Sequence, residues 1–483
     1  MNMITQFNKY LEKSFNNYLK AYFCDTNYCY KSSNFNNYIS FMNDLDNFSD
    51  SFLKDIIKSY FEYIDNVFFN SSYRKQFCIS NGFYERKNFV TMFGEINFKR
   101  RYYYDKITKE WFFFTDLFFS LPKRKHFDPF VSAEIIKTVT ENSYSKSGQI
   151  VASKIGKRLK DTINISRATV RNIVMSFEPE DIQEKNEKRV ERLFIMLDEK
   201  FVSSQFNEGS DHMIKAAVIF EGTELEYKNK KKYDSKNRYK LISSHTCASV
   251  DNSLTMDVVD YIYKAYDTDF LKEIFFMGDR GRWIVTFSKS QWLKFNPDLQ
   301  IYSTSDGYHP VQAINQLTTK KHLDFRDALL DLILNDDKEL FKDEVLKFMG
   351  EHKERTTTII NKMEYILNNW EAIQIYINNE FLSCSIESHI SHYFADLFTS
   401  RPKAYSKQGL MKLLKLRLLK INGINLKNLY LSSIGFTKNK KDTITISQPK
   451  HQINYTPKTN KYDYEYKAIL PQAYKQIKQL KMI

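Results

Sequence analysis

Two stretches decide the fold: RLFIMLDEKFVSSQ at 192–205 and EIFFMGDRGRW at 273–283. Each is an apolar run of strand length that breaks near its end at a single aspartate, Asp198 in the first and Asp279 in the second. A carboxylate on a buried strand must be solvated, paired or neutralised, because an unpartnered buried charge is costly. Around these two runs lie HMIKAAVIFEG (212–222) and YKLISSHTCAS (239–249), which read as strands, and Asn252–Tyr266, which reads as helix. LQIYSTSDGYH (299–309) reads as a fifth strand.

Three strands, a helix, a strand, a helix and a strand is the element order of an RNase H-like α/β domain, so a mixed five-stranded sheet is expected. In an open α/β sheet, ligands gather at the carboxyl edge of the strands, where both aspartates fall. Neighbouring strand-end carboxylates repel each other unless a cation sits between them, and an all-oxygen site selects Mg2+ or Mn2+. The plainer alternative is that each Asp simply starts a turn. A third carboxylate is sought on a helix packed over the same edge. Glu387 in CSIESHISH is the candidate, and Glu371 and Glu380 compete with it. His389 and His392 are an i, i+3 pair that suits support of a carboxylate better than zinc binding. Asp306 and His309, in DGYH after the fifth strand, form another polar insertion near that edge and are read as supporting residues.

The remaining chain divides by composition. Residues 1–75 are a helical N-terminal region, 76–125 a β-hairpin region, 126–178 a helix-turn-helix region, and 179–309 the first part of the α/β core. A helical insertion spans 310–381, core helices carrying Glu387 span 382–425, and a basic tail spans 426–483. In the third region, SKSGQIVASKIGKRL gives one amphipathic helix and ISRATVRNIVMSF a second, with Ser166 as its N-cap. Val170, Ile173 and Val174 share one face of the second helix; Arg167, Thr169, Arg171 and Asn172 fall largely on the others. A polar-outward second helix is what a helix-turn-helix places in the major groove, although many helical hairpins look alike without touching DNA. Lys99, Arg100 and Arg101 beside Tyr102–Tyr104 suggest either a solvated hairpin face or a contact to a DNA backbone. YKNKKKYDSKNRYK (227–240) sets six Lys and one Arg against one Asp, and Lys230, Lys231 and Lys232 at its centre suit a phosphate backbone.

The chain has 483 residues, enough for two to four domains at about 150 residues each. Hydrophobic content of 42% excludes wholesale disorder. No apolar run reaches the ~18 residues a membrane-spanning helix needs, and the first residues lack the apolar core of a signal peptide. Five scattered cysteines fit a reducing interior, with Cys24 and Cys29 more readily two buried thiols than half of a zinc site. A cytoplasmic location is therefore expected. A net charge of +14 fits a polyanionic partner. The heavy use of Lys, Asn, Tyr, Phe and Ile also looks like AT-rich drift, so the position of charge matters more than its sum.

From about Phe83 to Gly423 the chain resembles the DDE transposases of the ISLre group of bacterial insertion sequences, also catalogued as a transposase-like uncharacterised family. The resemblance rests on FGEINFKRRYYYDKITKEWFFFTDLFFSLPKR, the Asp-containing first strand, GDRGRWI, DGYH and, most specifically, CSIESHISHYFADLFTSRPKAYSKQG. It implies Asp198, Asp279 and Glu387 as an acidic triad holding two Mg2+ (or Mn2+) ions, with a helical insertion before the Glu. Mutator-like transposases are implied as relatives, whose D-x-x-H motif matches Asp306 and His309. The implied activity is binding of terminal inverted repeats and target DNA by a homo-oligomer, followed by strand cleavage and strand transfer. The resemblance also implies a bacterial, nucleoid-associated location. Four departures stand out: Glu199 and Arg280 where the family favours Gly, Leu397 where it favours Arg, and Tyr405 where it favours Trp. They admit two other readings, an inactive DNA-binding relative and an RNase H-like nuclease that cuts without joining.

Overall fold

The computed structural model describes residues 12, 15–16, 37–121, 125–155, 163–179, 188–205, 211–227, 238–251, 253–305, 307–319, 321–379, 391–400 and 403–434. The chain forms two compact units, one of Met1–Pro179 with Asn425–Ile483 and one of Glu180–Ile424.

In the first unit a long helix α1 (Asn37–Asn70) and a short α2 (Ser72–Phe77) precede three antiparallel strands, β1 (Cys78–Thr91), β2 (Gly94–Asp105) and β3 (Trp111–Phe113). Helix α3 (Phe114–Phe118) follows directly. The turn out of β2 comes where its residues demand it: Asp105 Oδ1 accepts from the Ile107 N–H at 2.7 Å, and Lys109 takes φ 58°. Aromatic residues supply the packing, with Phe68 of α1 stacked on Phe114 at 3.9 Å and edge-on to Tyr103 at 4.9 Å.

Helices α4 (Pro129–Val139), α5 (Tyr144–Lys154) and α6 (Arg167–Ser176) pack on one another, each begun by a side-chain cap from Asp128, Ser143 and Ser166 respectively. Gly148 lies where α5 approaches the lead-in to α6; a Cβ there would stand 2.3 Å from the Ile165 carbonyl oxygen, so only glycine permits the contact. A further helix, Leu426–Ser433, packs against α4 within the stretch expected to be tail, and Lys427 reaches Glu134 at 3.4 Å.

The second unit contains the expected mixed five-stranded sheet, built from β4 (Arg192–Val202), β5 (His212–Phe220), β8 (His245–Ser249), β9 (Glu273–Gly278) and β10 (Gln300–Ser305). Its order is β10-β9-β4-β5-β8, with β10, β9, β4 and β8 running one way and β5 the other. The strand expected over 239–249 is in fact two. Ser243 adopts φ 50°, and this break leaves β7 (Arg238–Ile242) paired with β6 (Gly222–Tyr227) in a separate hairpin, while β8 joins the main sheet. Helices α7 (Leu254–Ala265) and α8 (Arg282–Ser288) cover one face through a core that includes Leu193, Ile195, Leu197, Val258, Phe276 and Ile284.

Among the described residues, β10 is followed by α9 (Tyr308–Thr318), α10 (Leu323–Leu334), α11 (Lys338–Glu351), α12 (Thr356–Asn368) and α13 (Trp370–Ile377). They bury a core of their own around Leu329, Phe341, Val345, Ile359 and Trp370. Helix α14 (Lys407–Ile421) lies along β8, and Asn422 just beyond it closes that edge: its amide accepts from the Thr246 N–H at 2.8 Å and donates to the Thr246 carbonyl at 2.9 Å. No described helix is long and apolar enough to cross a membrane.

Candidate functional site: the carboxyl edge of the mixed sheet

β4 and β9 run parallel in a register that pairs Arg192 with Glu273 and Met196 with Met277. Carried two residues further, the same register sets Asp198 abreast of Asp279. Strand alternation sets Asp198 on one face of β4, and Asp279 follows directly on the last residue of β9. Leu193, Ile195 and Leu197 point into the core beneath α7, whereas Phe194 stacks on Phe275 at 5.4 Å on the opposite face, which Met196, Asp198 and Met277 share. Both aspartates are half-buried. Gly278 is the residue that permits this approach: a Cβ there would meet the Leu197 carbonyl oxygen at 2.7 Å.

Each aspartate also shapes its own backbone. Asp198 Oδ1 accepts from the Glu199 N–H at 2.7 Å, and Asp279 Oδ1 accepts from the Gly281 N–H at 2.8 Å. Asp279 therefore starts a turn, whereas Asp198 lies within β4 opposite Ala216; each of these bonds commits one carboxylate oxygen. The turn after β9 is left-handed at Arg280, φ 68°, which accounts physically for the glycine the resemblance leads one to expect there. Tyr365 of α12 donates to the Asp279 carbonyl at 3.4 Å.

The two charged departures are drawn into other contacts. Glu199 lies on the α7 and α8 side of β4 and accepts from the Trp283 indole N–H. Its cross-strand neighbour Lys215 holds its ammonium 5.7 Å from the Trp283 ring centre. Arg280 donates to Asn369 Oδ1 at 3.0 Å and to the carbonyl and hydroxyl of Ser303, and burial lowers its pKa. The two remaining departures meet each other: the Tyr405 hydroxyl donates to the carbonyl of buried Leu397 at 3.4 Å. Tyr405 also continues the ladder beyond β4, donating to Ser203 at 2.9 Å and accepting from Gln205 at 3.0 Å.

Glu387, Glu380, His389 and Asp306 lie outside the described residues, as do Cys24, Cys29 and Lys230, Lys231 and Lys232. Glu371 is exposed in the first turn of α13. Among the described residues no group of three or more His, Cys, Asp or Glu is gathered to hold a metal ion. His392 is exposed, and its carbonyl accepts from the Arg417 guanidinium at 2.8 Å. His309 stands half-buried in the first turn of α9, just past the end of β10. The preceding Gly307 is required by Tyr376, whose hydroxyl oxygen would lie 2.5 Å from a Cβ there.

On α6, Arg167, Arg171 and Asn172 are exposed, and Val170 and Val174 are buried. Thr169 is half-buried, with its hydroxyl 3.0 Å from that of Ser166, so it belongs to the cap. The hairpin arginines fit neither expectation. Arg100 pairs with Asp116 at 3.0 Å and Arg101 with Asp65 at 2.6 Å, and only Lys99 is exposed. Asp65 and Asp116 sit under the sheet's own aromatic packing, where a guanidinium is the partner that neutralises them.

A cavity of about 890 Å³ opens beside Gly281 on the α7 and α8 side of β4, lined in part by Glu199, Lys215, Arg282, Trp283, Thr286 and Lys289. Sequence reasoning used GDRGRW for its aspartate alone and missed these residues. The signal was present, since positions 282, 286 and 289 follow helical spacing.

Among known proteins, a family model described as an uncharacterised protein family, UPF0236, matches residues 35–432. Relatives come from Caldanaerobacter subterraneus subsp. tengcongensis. A UPF0236 protein named for eleven loci is 26% identical over 385 residues, 78% of this chain and 77% of its own length. A second, named for four loci, is 27% identical with the same coverage. A third, named for two, is 27% identical over 78% of this chain and 73% of its own.

Proposed function

We propose, for a chain that belongs to the uncharacterised protein family UPF0236, the activity of a DDE-type DNA transposase acting on the ends of a mobile element. The observation that carries this reading is the parallel register of β4 and β9, which pairs Met196 with Met277 and, continued two residues, brings Asp198 abreast of Asp279. The sheet order β10-β9-β4-β5-β8, with β5 alone running against the other four strands, is the one an RNase H-like core requires, which supports the same reading. Relatives named for many loci in one bacterium fit an element that copies itself.

Two aspartates on neighbouring strands, with only hard oxygen donors, suit Mg2+ or Mn2+ rather than a softer metal. Such ions, when bound, activate the attacking oxygen and stabilise the leaving one in an in-line displacement at phosphorus. The chain's own task is to hold its carboxylates at fixed spacing: Gly278 allows the strand approach, and the Gly281 N–H holds Asp279 in its turn. Glu387 completes the triad in this reading. Asp306, His309, His389 and His392 orient DNA or neighbouring carboxylates. Helices α5 and α6, held close through Gly148, serve as the helix-turn-helix, with Arg167, Arg171 and Asn172 toward the bases and Lys230, Lys231 and Lys232 toward flanking phosphates. Region boundaries follow these roles: DNA recognition over 126–178, catalysis over 179–309 and 382–425, and a helical insertion between them. The working form is a homo-oligomer on nucleoid DNA in a bacterial cytoplasm.

The test is incubation of purified protein with labelled terminal repeats, target DNA and Mg2+. Nicked ends and joined products are expected from the wild type, with Asp198→Asn and Asp279→Asn inactive in both steps. Binding without cleavage would reject the enzymatic reading, and nicking without joining would favour a nuclease.

A further inference from the structure

The cavity beside the aspartate edge has an electrostatic character that the proposed triad does not use. Its two carboxylates, Glu199 accepting from the Trp283 indole and Asp251 accepting from the Ser253 N–H at 2.9 Å, are outnumbered by three cations, Lys215, Arg282 and Lys289. Arg282, Thr286 and Lys289 line it at positions i, i+4 and i+7, one exposed stripe along α8 and its C-cap. The Thr286 hydroxyl donates to the Arg282 carbonyl at 2.9 Å. Among the described residues, neither Arg282 nor Lys289 has an ion-pair partner, although most other arginines of this unit do bond to neighbours. The Trp283 ring and the side chain of Lys215 also line it, and Phe287 and Leu254 add apolar surface.

Two unpaired cations spaced along a helix beside an aromatic wall fit a polyanion whose charges repeat at regular intervals. A sugar–phosphate backbone has that chemistry, offering phosphates to cations and sugar or base to an indole. An isolated small anion would need only one of these cations. From this we infer that the α8 cleft is a binding site for one strand of the DNA substrate, gripped through its phosphates by Arg282 and Lys289 and lined by Trp283. The inference rests on the reading of the chain as a DNA-cutting enzyme and adds a surface that holds a strand on the α7 and α8 side of the same sheet edge. Gly281 joins the two: its N–H donates to Asp279 Oδ1, and it also borders the cleft.

The experiment compares full-length wild type, the double variant Arg282→Gln with Lys289→Gln, Trp283→Phe and Asp279→Asn in titrations with fluorescent single-stranded and duplex oligonucleotides across a salt series. Both cations are exposed, so the double variant should melt at the wild-type temperature. Its log–log salt slope should fall by about 1.4 on single strands and about 1.8 on duplex, for two lost phosphate contacts. That corresponds to binding weaker by on the order of tenfold or more at 0.1 M salt. Indole emission should change on DNA addition in the wild type, and this change should shrink in Trp283→Phe. Asp279→Asn should bind like the wild type while failing to cleave. An unchanged slope in the double variant, with normal wild-type binding and cleavage, would overturn this inference and leave the transposase reading standing. Wild-type protein that binds no DNA, or that binds poly-glutamate in its place, would overturn both.

Discussion

Two basic, aromatic stretches of this chain, KRRYYY at 99–104 and GDRGRW at 278–283, fold into opposite electrostatic situations. In the first, the cations turn inward. Arg100 and Arg86 share Asp116, Arg101 holds Asp65, and the Arg101 guanidinium is sandwiched between Phe69 and Phe83 at 4.0 and 4.1 Å. In the second, Arg280 is consumed by Ser303 and Asn369, whereas Arg282 two residues later stands exposed in a cleft. A basic residue in sequence is thus not a cation on offer. What decides is whether the fold buries an acid opposite it.

The comparison breaks most sharply at the buried acids. Asp116→Ala would leave Arg86 and Arg100 buried without their carboxylate, with side chains only 9% and 10% exposed. A loss of about 3–5 kcal/mol in unfolding free energy is expected by denaturant titration, as for other broken buried pairs. A loss below about 1 kcal/mol, the scale of a surface pair, would show that these arginines are solvated and available to DNA.

A smaller effect probes the turn beside Asp279. Arg280→Ala and Arg280→Gly both lose the bonds to Ser303 and Asn369, but only the glycine variant relieves the left-handed backbone. The glycine variant should be the more stable of the two by about 1 kcal/mol, measured by thermal melting. Equal stability would mean that the conformation carries no strain.

Acidity sharpens the same contrast. Burial outweighs the guanidiniums and raises the carboxyl pKa of Asp65 and Asp116, and with no arginine to oppose it, burial carries Asp128 up to about 6. An acid whose folded pKa is raised stabilises the fold fully below its unfolded value, near about 4, and that contribution is lost as pH rises through the folded value. Stability should therefore decline between about pH 4 and pH 6, and Asp128→Asn, which keeps a capping side chain, should flatten the decline. An unchanged slope would remove Asp128 as its source. The smallest effect belongs to the other member of the comparison. Arg282→Gln with Lys289→Gln should change stability by no more than about 0.5 kcal/mol, as exposed unpaired cations do.

Much of the sheet was legible because buried strands leave apolar runs: 192–202, 212–220, 273–278 and 300–305 each fall within a stretch that reads as strand. The split of 239–249 was not, since Ser243 in a left-handed conformation carries no mark that separates it from any other loop serine. Ser166 announced its helix by capping chemistry. The fate of Arg100 and Arg101 was hidden because their acids lie 16 and 36 positions away in sequence, on α3 and α1. At the site, the aspartates stood out as charges in apolar runs. The cleft beside them did not, because Trp283 meets Glu199 only once β4 and α8 have packed.

The most direct test of the aspartate edge is anomalous scattering from a crystal of the full chain soaked in Mn2+. The expected result is a peak between the Asp198 and Asp279 carboxylates, with a Glu387 oxygen also in reach and the peak absent from Asp279→Asn crystals. No peak at that edge, or an ion held there by Glu371 or Glu380 in place of Glu387, would contradict the triad.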